Sequence, residues 1–417
     1  MSDQQTNWAG NHSYAAARLL QPTSVDELQE LVAATESVRA LGSRHSFNDV
    51  ADTTGDLVSL RSLVRVFELD PVSCTVTIDG GMHYGELCPR LDEVGFAIHN
   101  LASLPHISVA GACATATHGS GNRLGNLATA VTALELVTAS GELARCARAD
   151  DASFNGMVVA LGALGIVTRL TLEVEPSFEM RQDIFCGLPF ADAIARLDEL
   201  MATTESVSLF TQWREPVFEQ VWCKSRRLEG PPPAIVGATP ATRRLHPIGR
   251  LPADACTEQL GIPGPWFERL PHFRIDHTPS SGSELQSEYL VAREHAGAAL
   301  QALDAIRETF GALVMVSEVR TVAADTLWLS TAYRRDSTAL HFTWVNDWPA
   351  VREVLPTIEA ALEPFAPRAH WGKLFTYPAA TVRANYEQLP AFVELSDGLD
   401  PTGKFRGPFM RRIVAGD

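Results

Sequence analysis

The 417-residue sequence predicts an α+β protein of two or three domains, on three observations. The length, with 46% hydrophobic and 20% charged residues, suits a globular chain with a core too large for one small domain. Up to about Pro176, short strand-like runs alternate with short amphipathic helices. Beyond it, three runs at 285–289, 313–320 and 340–345 alternate polar and apolar side chains. Residues i and i+2 share a face of a strand, so Gln286 with Glu288, Glu318 with Arg320, and His341 with Thr343 each point one way. This is the pattern of a large antiparallel sheet with one dry and one polar face, and helices read over 191–203, 293–310 and 351–362 flank it.

The elements follow in order. Thr23 or Ser24 caps a helix whose apolar stripe is Leu28, Leu31 and Val32. A strand at 37–41 runs into the loop Gly42-Ser43-Arg44-His45-Ser46-Phe47-Asn48. Strands at 57–60, 64–70 and 74–79 come next, the last ending in Gly80 and Gly81. A helix over 84–95 stops at Gly95. A strand at 131–138 turns through Ser140 and Gly141 as a hairpin; 153–161 reads as helical and 165–174 as a strand. After the shift at Pro176 come the helix over 191–203, a strand at 207–213 and an irregular connection over 231–265 opened by Pro231, Pro232 and Pro233.

Two stretches carry the chemistry. From Ser108 to Gly121 every side chain is small except Val109 and His118, so backbone can lie directly against another surface. Exposed N–H groups there suit a pyrophosphate, and a tight packing loop would look the same. The second stretch is the His45 loop. Together they resemble the paired flavin-binding loops of the vanillyl-alcohol-oxidase superfamily and, within it, those of the alditol oxidases. The resemblance extends through Asn7-Trp8-Ala9-Gly10-Asn11, Leu101 to Gly121, Thr257-Glu258-Gln259, Leu285 to Tyr289, Glu318 to Asp325, His341 to Trp344 and His370-Trp371-Gly372-Lys373.

The resemblance implies a two-domain flavoprotein: an FAD-binding α+β domain over 1–176, a substrate-binding cap over 177–375 and a C-terminal return to the first domain over 376–417. It implies FAD bound covalently through His45 and lined by Ala40, Leu41, Gly42, Ser43, Arg44, Ser46, Ser103, Ser108, Gly111, Thr115, Ala116, Thr117, His118, Val167, Thr343 and His370. Glu318, Arg320 and Lys373 would carry the chemistry, and Ser103, Gln286 and His341 would join them on the substrate. The implied reaction oxidises the terminal hydroxyl of a polyol such as xylitol or sorbitol to the aldose and reduces O2 to hydrogen peroxide. The protein would supply orientation and charge around the cofactor's own chemistry. With two cations and one carboxylate the cluster is expected to be net positive, which favours a hydroxyl losing its proton. Two departures stand out: Arg44 precedes the histidine where relatives often carry glycine, and Arg406-Gly407 stand where Thr-Asn is usual. The rival readings are an aldonolactone oxidase or dehydrogenase of the same superfamily, and a flavin- or sugar-binding protein without turnover. Without the resemblance, the polar strand faces read first as solvated surface.

Composition bounds the partners. A formal charge of −16 argues against nucleic acid or an anionic membrane surface and fits a neutral small substrate. Seven scattered cysteines without CxxC spacing read as reduced thiols of a cytoplasmic protein, expected as a monomer. Residues 1–8 show no signal peptide, and no apolar run is long enough to span a membrane. Twelve histidines show no metal-ligand spacing, so no metal is expected. No GxGxxG follows a strand. Gly398 to Lys404 fits the start of a phosphate-binding loop, but Phe405 stands where Ser or Thr would bind magnesium.

Overall fold

In the computed structural model, residues 6–277 and 283–415 are described. The first five residues, read above as part of a leaderless N-terminus, lie outside them. The fold is α+β in two domains. The first is built on two main sheets. Strands β1 (Arg18–Leu20), β2 (Val38–Ala40) and β3 (Asp56–Val58) pair in parallel in the order β1-β3-β2. Helix α1 (Val25–Ala34) crosses from β1 to β2; Ser24 Oγ accepts from Glu27 N at 3.1 Å, and Leu28 and Val32 are fully buried. Strands β4 (Phe67–Asp70), β5 (Thr75–Asp79), β6 (Val131–Val137), β7 (Leu143–Ala147) and β8 (Ile166–Glu173) form an antiparallel sheet in the order β4-β5-β8-β6-β7. Helices α2 (Tyr84–Glu93) and α3 (Val109–Ala114) lie between β5 and β6 in the chain.

Two glycines fix where this sheet ends. A Cβ on Gly80 would meet Val167 O at 2.0 Å, and one on Gly81 would meet Leu60 O at 2.2 Å. Only hydrogen fits at these crossings, which is the close approach that glycine permits.

The second domain is built on a nine-stranded sheet. Its six long strands are β9 (Glu179–Pro189), β10 (Ser206–Thr211), β11 (Val217–Ser225), β12 (Glu284–Ala292), β13 (Val314–Val322) and β14 (Ser337–Val345). They run antiparallel in the order β9-β11-β10-β13-β14-β12. Helices α4 (Ala296–Ala305) and α5 (Trp348–Leu362) supply Leu300, Leu303, Leu355 and Ile358 to the core on one face of the sheet, with Phe342 and Trp344. The rings of Phe342 and Trp344 stack at 5.1 Å, and Phe310 meets Phe342 edge-on at 5.7 Å. Tyr289 on β12 donates to Glu359 on α5 at 3.0 Å, which fastens helix to sheet.

Past the sheet the chain returns to the first domain. Val38 N donates to Lys404 O at 3.0 Å, the buried Arg39 guanidinium donates to the Phe405 and Leu161 carbonyls, and Phe405 sits in a cluster with Leu28 and Val32.

Three helices depart from the sequence reading. The one read over 153–161 is confined to Phe154–Met157, because Leu161 (φ +52) and Gly162 (φ +71) turn left-handed. The one read over 191–203 divides into Phe190–Ala195 and Leu197–Met201 at Arg196, whose φ of −137 is not helical. The one read over 293–310 divides at Ile306, with Arg307–Phe310 beyond it. Two long strands, β9 and β11, carry no expectation in the sequence. β9 buries Arg181, Gln182 and Asp183, and β11 buries Gln220 and Lys224, so the apolar alternation that marks a strand is broken.

Phe342→Ala removes the centre of the dry face. The expected loss is about 3–5 kcal/mol, read from urea unfolding followed by far-ultraviolet circular dichroism. A loss below about 1 kcal/mol would mean that the sheet does not depend on this aromatic cluster.

Candidate active site

One elongated cavity collects the chemistry that the sequence scatters. The first domain lines it with Ala40 to Ser46, Ser103, Ser108, Gly111, Thr115, Thr117, His118 and Val167; the second adds Gln286, Glu318, Arg320, His341, Thr343, His370 and Lys373. Ala116 is the exception among the residues expected at the cofactor. Its methyl is packed in the core and its backbone is left-handed at φ +53, so its side chain cannot line the cavity.

At the first-domain end, the His45 loop and the start of α3 close on each other. A Cβ on Gly42 or Gly111 would meet Ser108 Oγ at 2.5 and 2.7 Å, and Ser108 N donates to Ser43 Oγ at 3.2 Å. His45 stacks on Trp8 at 5.2 Å and lies within 3.2 Å of Ser43 O through Nδ1. Its Nε2 is buried without a hydrogen-bond partner among the described residues. Burial pushes the imidazole down to about 4, so it is neutral at pH 7 with one ring nitrogen unengaged. Arg44 takes φ +63, a conformation glycine adopts without strain and a longer side chain does not. Arg406 and Gly407 do not line the cavity; Arg406 pairs with Asp397, and Gly407 passes so close to Asp52 O that a Cβ would meet it at 2.1 Å.

At the other end, β12, β14 and β13 lie side by side. Glu288 is registered with His341 and His341 with Glu318; Gln286 is registered with Thr343. All but the half-buried Gln286 are buried, Glu318 to 5% and Glu288 to 1% exposure, so the polar face is not a solvated surface.

Their charges interlock. Glu288 accepts from Arg320 Nη2 at 2.7 Å on one oxygen and from Lys373 Nζ at 2.7 Å on the other, with His118 Nε2 at 3.4 Å. Glu318 Oε1 lies 2.7 Å from His272 Nε2, and its Oε2 lies 3.6 Å from Arg320 Nε. Burial alone would raise both carboxyls. Lys373, His118 and Arg320 overrule it at Glu288, Arg320 and His272 overrule it at Glu318, and both are held well below the usual carboxylate range. The same burial pushes Lys373 down, offset in part by Glu288.

The expectation of a net positive cluster counted one carboxylate where these strands bring together two. Arg320 and Lys373 contribute +2 and Glu288 and Glu318 contribute −2, which sums to zero. Glu288 was visible in the sequence as the face-mate of Gln286, but its role as counter-ion depends on strand register. His272 and Lys224 had no sequence signal at all.

Three buried nitrogens face this end without a hydrogen-bond partner among the described residues: Arg320 Nε, His341 Nδ1 and His118 Nε2. His341 Nε2 lies 3.1 Å from Gln286 Oε1, and Gln286 Nε2 donates to Glu284 at 3.0 Å, which assigns the proton to Nε2 and a free lone pair to Nδ1. Burial, then Lys373, holds this ring well below the usual histidine value, so it is neutral.

A family described as an FAD binding domain matches residues 16–147, and one described as D-arabinono-1,4-lactone oxidase matches 279–413. An alditol oxidase of Streptomyces sp. is 49% identical over 419 residues, covering 100% of both chains. An L-gulono-1,4-lactone dehydrogenase of Mycobacterium tuberculosis is 30% identical over 440 residues, covering 99% of this chain and 100% of the relative. Among solved structures, a solvent-stable cholesterol oxidase superposes with a TM-score of 0.80 at 15% identity, covering 98% of this chain and 97% of that one. Fold, cavity and the match at 16–147 together define a flavoprotein oxidoreductase. The chain belongs to the alditol oxidase family of the vanillyl-alcohol-oxidase superfamily.

Glu288→Gln leaves Arg320 and Lys373 without their shared counter-ion. Breaking a buried pair this way is expected to cost about 3–5 kcal/mol at pH 7, read from urea unfolding. A carboxyl held below its unfolded value stabilises the fold above the unfolded pKa of about 4.3 and loses that contribution as pH falls through the folded value. The gap between wild type and variant should therefore narrow on acidification below about pH 4. A gap that stays constant to pH 3 would contradict the assignment of Glu288 as a buried carboxylate.

Proposed function

We propose that the chain is an FAD-dependent alditol oxidase that converts the terminal primary hydroxyl of a polyol, such as xylitol or sorbitol, to the aldose, with O2 reduced to hydrogen peroxide. The observation that carries this reading is the pair Arg320 Nε, a buried donor without a partner, and Glu318 Oε2, an acceptor 3.6 Å away. A hydroxyl both donates and accepts, so one substrate oxygen satisfies both atoms. A chain of further hydroxyls finds His341, Gln286 and Ser103 along the same cavity.

The residues present fit the cofactor. His45 offers a neutral, buried, unengaged ring nitrogen, and the Gly42, Ser108 and Gly111 contact brings backbone to the cavity wall. We assign Ala40 to Ser46, Ser103, Ser108, Gly111, Thr115, Thr117, His118, Val167, Thr343 and His370 to FAD, held covalently by His45. Bound FAD supplies the acceptor for the hydride that leaves the terminal carbon and the site that reacts with oxygen. Everything else falls to the side chains. Glu318 and Arg320 fix the reacting hydroxyl, its proton leaving along the hydrogen bond to Glu318 Oε2; His341 Nδ1 accepts from an adjoining hydroxyl, and Arg320 and Lys373 stabilise the oxygen as it becomes anionic. Because the cluster starts neutral, that stabilisation comes from fixed geometry rather than from excess positive charge.

The domains are proposed as 1–176 with 376–417 for FAD and 177–375 for substrate. Among the described residues no helix is long and apolar enough to cross a membrane. Seven unpaired thiols support a cytoplasmic setting, and a monomer is proposed. The match at 279–413 favours a second reading, oxidation of an aldonolactone. Steady peroxide production with xylitol or sorbitol and none with the lactone supports the first; the reverse pattern supports the second.

Two further outcomes are expected. Denatured wild-type protein keeps its yellow colour on the polypeptide, and His45→Ala loses it; complete release from the wild type would refute the covalent link. Arg320→Ala and Lys373→Ala each lower kcat/KM by about 30- to 1000-fold, the scale of about 2–4 kcal/mol for one charged transition-state contact. Kinetics within about twofold of wild type in both would place the chemistry elsewhere.

A further inference from the structure

We infer that Lys224 and His272 form a positioning pair that fixes the orientation and charge of Glu318, so that the reacting hydroxyl meets one carboxylate oxygen only. The inference rests on the reading of Glu318 as a substrate contact.

The pair lies behind the cavity floor. His272 lines the cavity at 5% exposure; Lys224, on β11, is 1% exposed and does not line it. Lys224 Nζ donates to the Leu270 carbonyl and lies 3.0 Å from His272 Nδ1; His272 Nε2 lies 2.7 Å from Glu318 Oε1. An ammonium can only donate, so Nδ1 accepts and the ring proton sits on Nε2, from which it is donated to Glu318. The tautomer, and with it the direction of both hydrogen bonds, is set by the lysine.

The backbone places the ring with equal definition. His272 N and Phe273 N both donate to Ser103 O, at 3.1 and 3.2 Å, and Thr257 N donates to His272 O at 3.0 Å. The segment thus ties the Ser103 loop of the first domain to Glu318 of the second. Phe210, Trp222 and Phe273 surround the imidazole edge-on at 5.2 to 6.4 Å and leave it little freedom to turn.

The charged and titratable groups facing the pair are few. Lys224 meets Glu318 and Arg320 across the sheet and the Cys256 thiol, which burial pushes up to about 12 and so keeps neutral. His272 meets Lys224, Glu318 and Arg320. Burial pushes Lys224 down to about 7 and His272 down to about 4. One proton on Lys224 is therefore the titratable charge of the pair near neutrality. The pair acts as an anchor for Glu318.

The consequence is a division of labour at one carboxylate. Oε1 is occupied by His272, and Oε2, beside Arg320 Nε, is left for the substrate. Loss of the Lys224 charge frees the ring to take either tautomer, and the other tautomer sets a lone pair against Glu318.

The test uses the flavin-loaded enzyme, with flavin absorbance per polypeptide as the check on folding. Lys224→Met should keep flavin content and lower kcat/KM on xylitol by 10- to 100-fold at pH 6. The ratio of wild type to variant should then shrink as pH rises through about 7, because the wild-type lysine itself becomes neutral. His272→Leu should show a similar loss, and His272→Gln, which can still donate to Glu318 and accept from Lys224, should recover to within about fivefold of wild type. A readout independent of turnover is the nitrogen spectrum of 15N-histidine-labelled protein at pH 6, with His272 assigned by its absence in His272→Gln. It should show a neutral ring protonated on Nε2. A ratio that does not change with pH, or a ring protonated on Nδ1, overturns the inference. Wild type that is active on a polyol with a flat ratio refutes this pair alone; wild type inactive on every polyol, with His272 in the Nε2–H form, refutes the assigned substrate and leaves the pair standing as the anchor of Glu318.

Discussion

The structure depends on four charges that cannot be buried separately. Glu288, Glu318, Arg320 and Lys373 are all taken out of water, and each alone would cost several kcal/mol. Glu288 resolves most of the conflict by giving one oxygen to each cation. The arrangement then constrains the backbone. Glu288 and Arg320 sit on strands separated by β14, so they meet only if the register of three strands is correct. Lys373 comes from a segment anchored to β12 through His370 N and Glu288 O at 2.9 Å. A one-residue slip in any of these strands would turn the charges onto the dry face among Phe342, Trp344 and Leu340, which makes the register strongly specified.

The cavity follows from how the two sheets meet. The dry face of the large sheet is covered by α4 and α5, so its polar face has one place to go, against the loops of the first domain. Those loops are shaped to meet it. Ser108, Gly111 and Gly42 pack at hydrogen-only distances, Ser120 Oγ donates to Val207 O, and Gly121 N donates to Thr321 O at 2.9 Å. The small-residue run from Ser108 to Gly121 thus serves two surfaces, the cavity wall at one end and the central strands β10 and β13 of the large sheet at the other.

Much of this was legible in the sequence, for reasons that are local. Period-2 alternation in 285–289, 313–320 and 340–345 marked the polar face, and the lack of bulk after Ser108 marked a close approach. The resemblance of the two loops supplied the cofactor class. What escaped depended on non-local pairing. β9 and β11 hide because buried Arg181, Asp183 and Lys224 interrupt their pattern; Arg181 is satisfied by Asp183 on its own strand and Lys224 by a segment about 46 residues away. The sign of the cluster was misjudged because a face-sharing pair, Gln286 and Glu288, gives no hint of which cations lie across the sheet. His272 lies just beyond a connection read only as irregular, and its importance comes from three partners that no spacing rule relates to it. Helix ends at Arg196 and Ile306 were missed for the ordinary reason that propensity does not encode a single non-helical φ.

The central claim is that a substrate hydroxyl completes the hydrogen bonding of Arg320 Nε and Glu318 Oε2. A crystal structure of the flavin-loaded protein with xylitol bound under anaerobic conditions tests it directly. The account predicts a terminal oxygen of the polyol at about 3 Å from both atoms, with the adjoining hydroxyls on His341 and Gln286. Xylitol bound elsewhere in the cavity, or bound with Arg320 Nε still unpartnered, would contradict it.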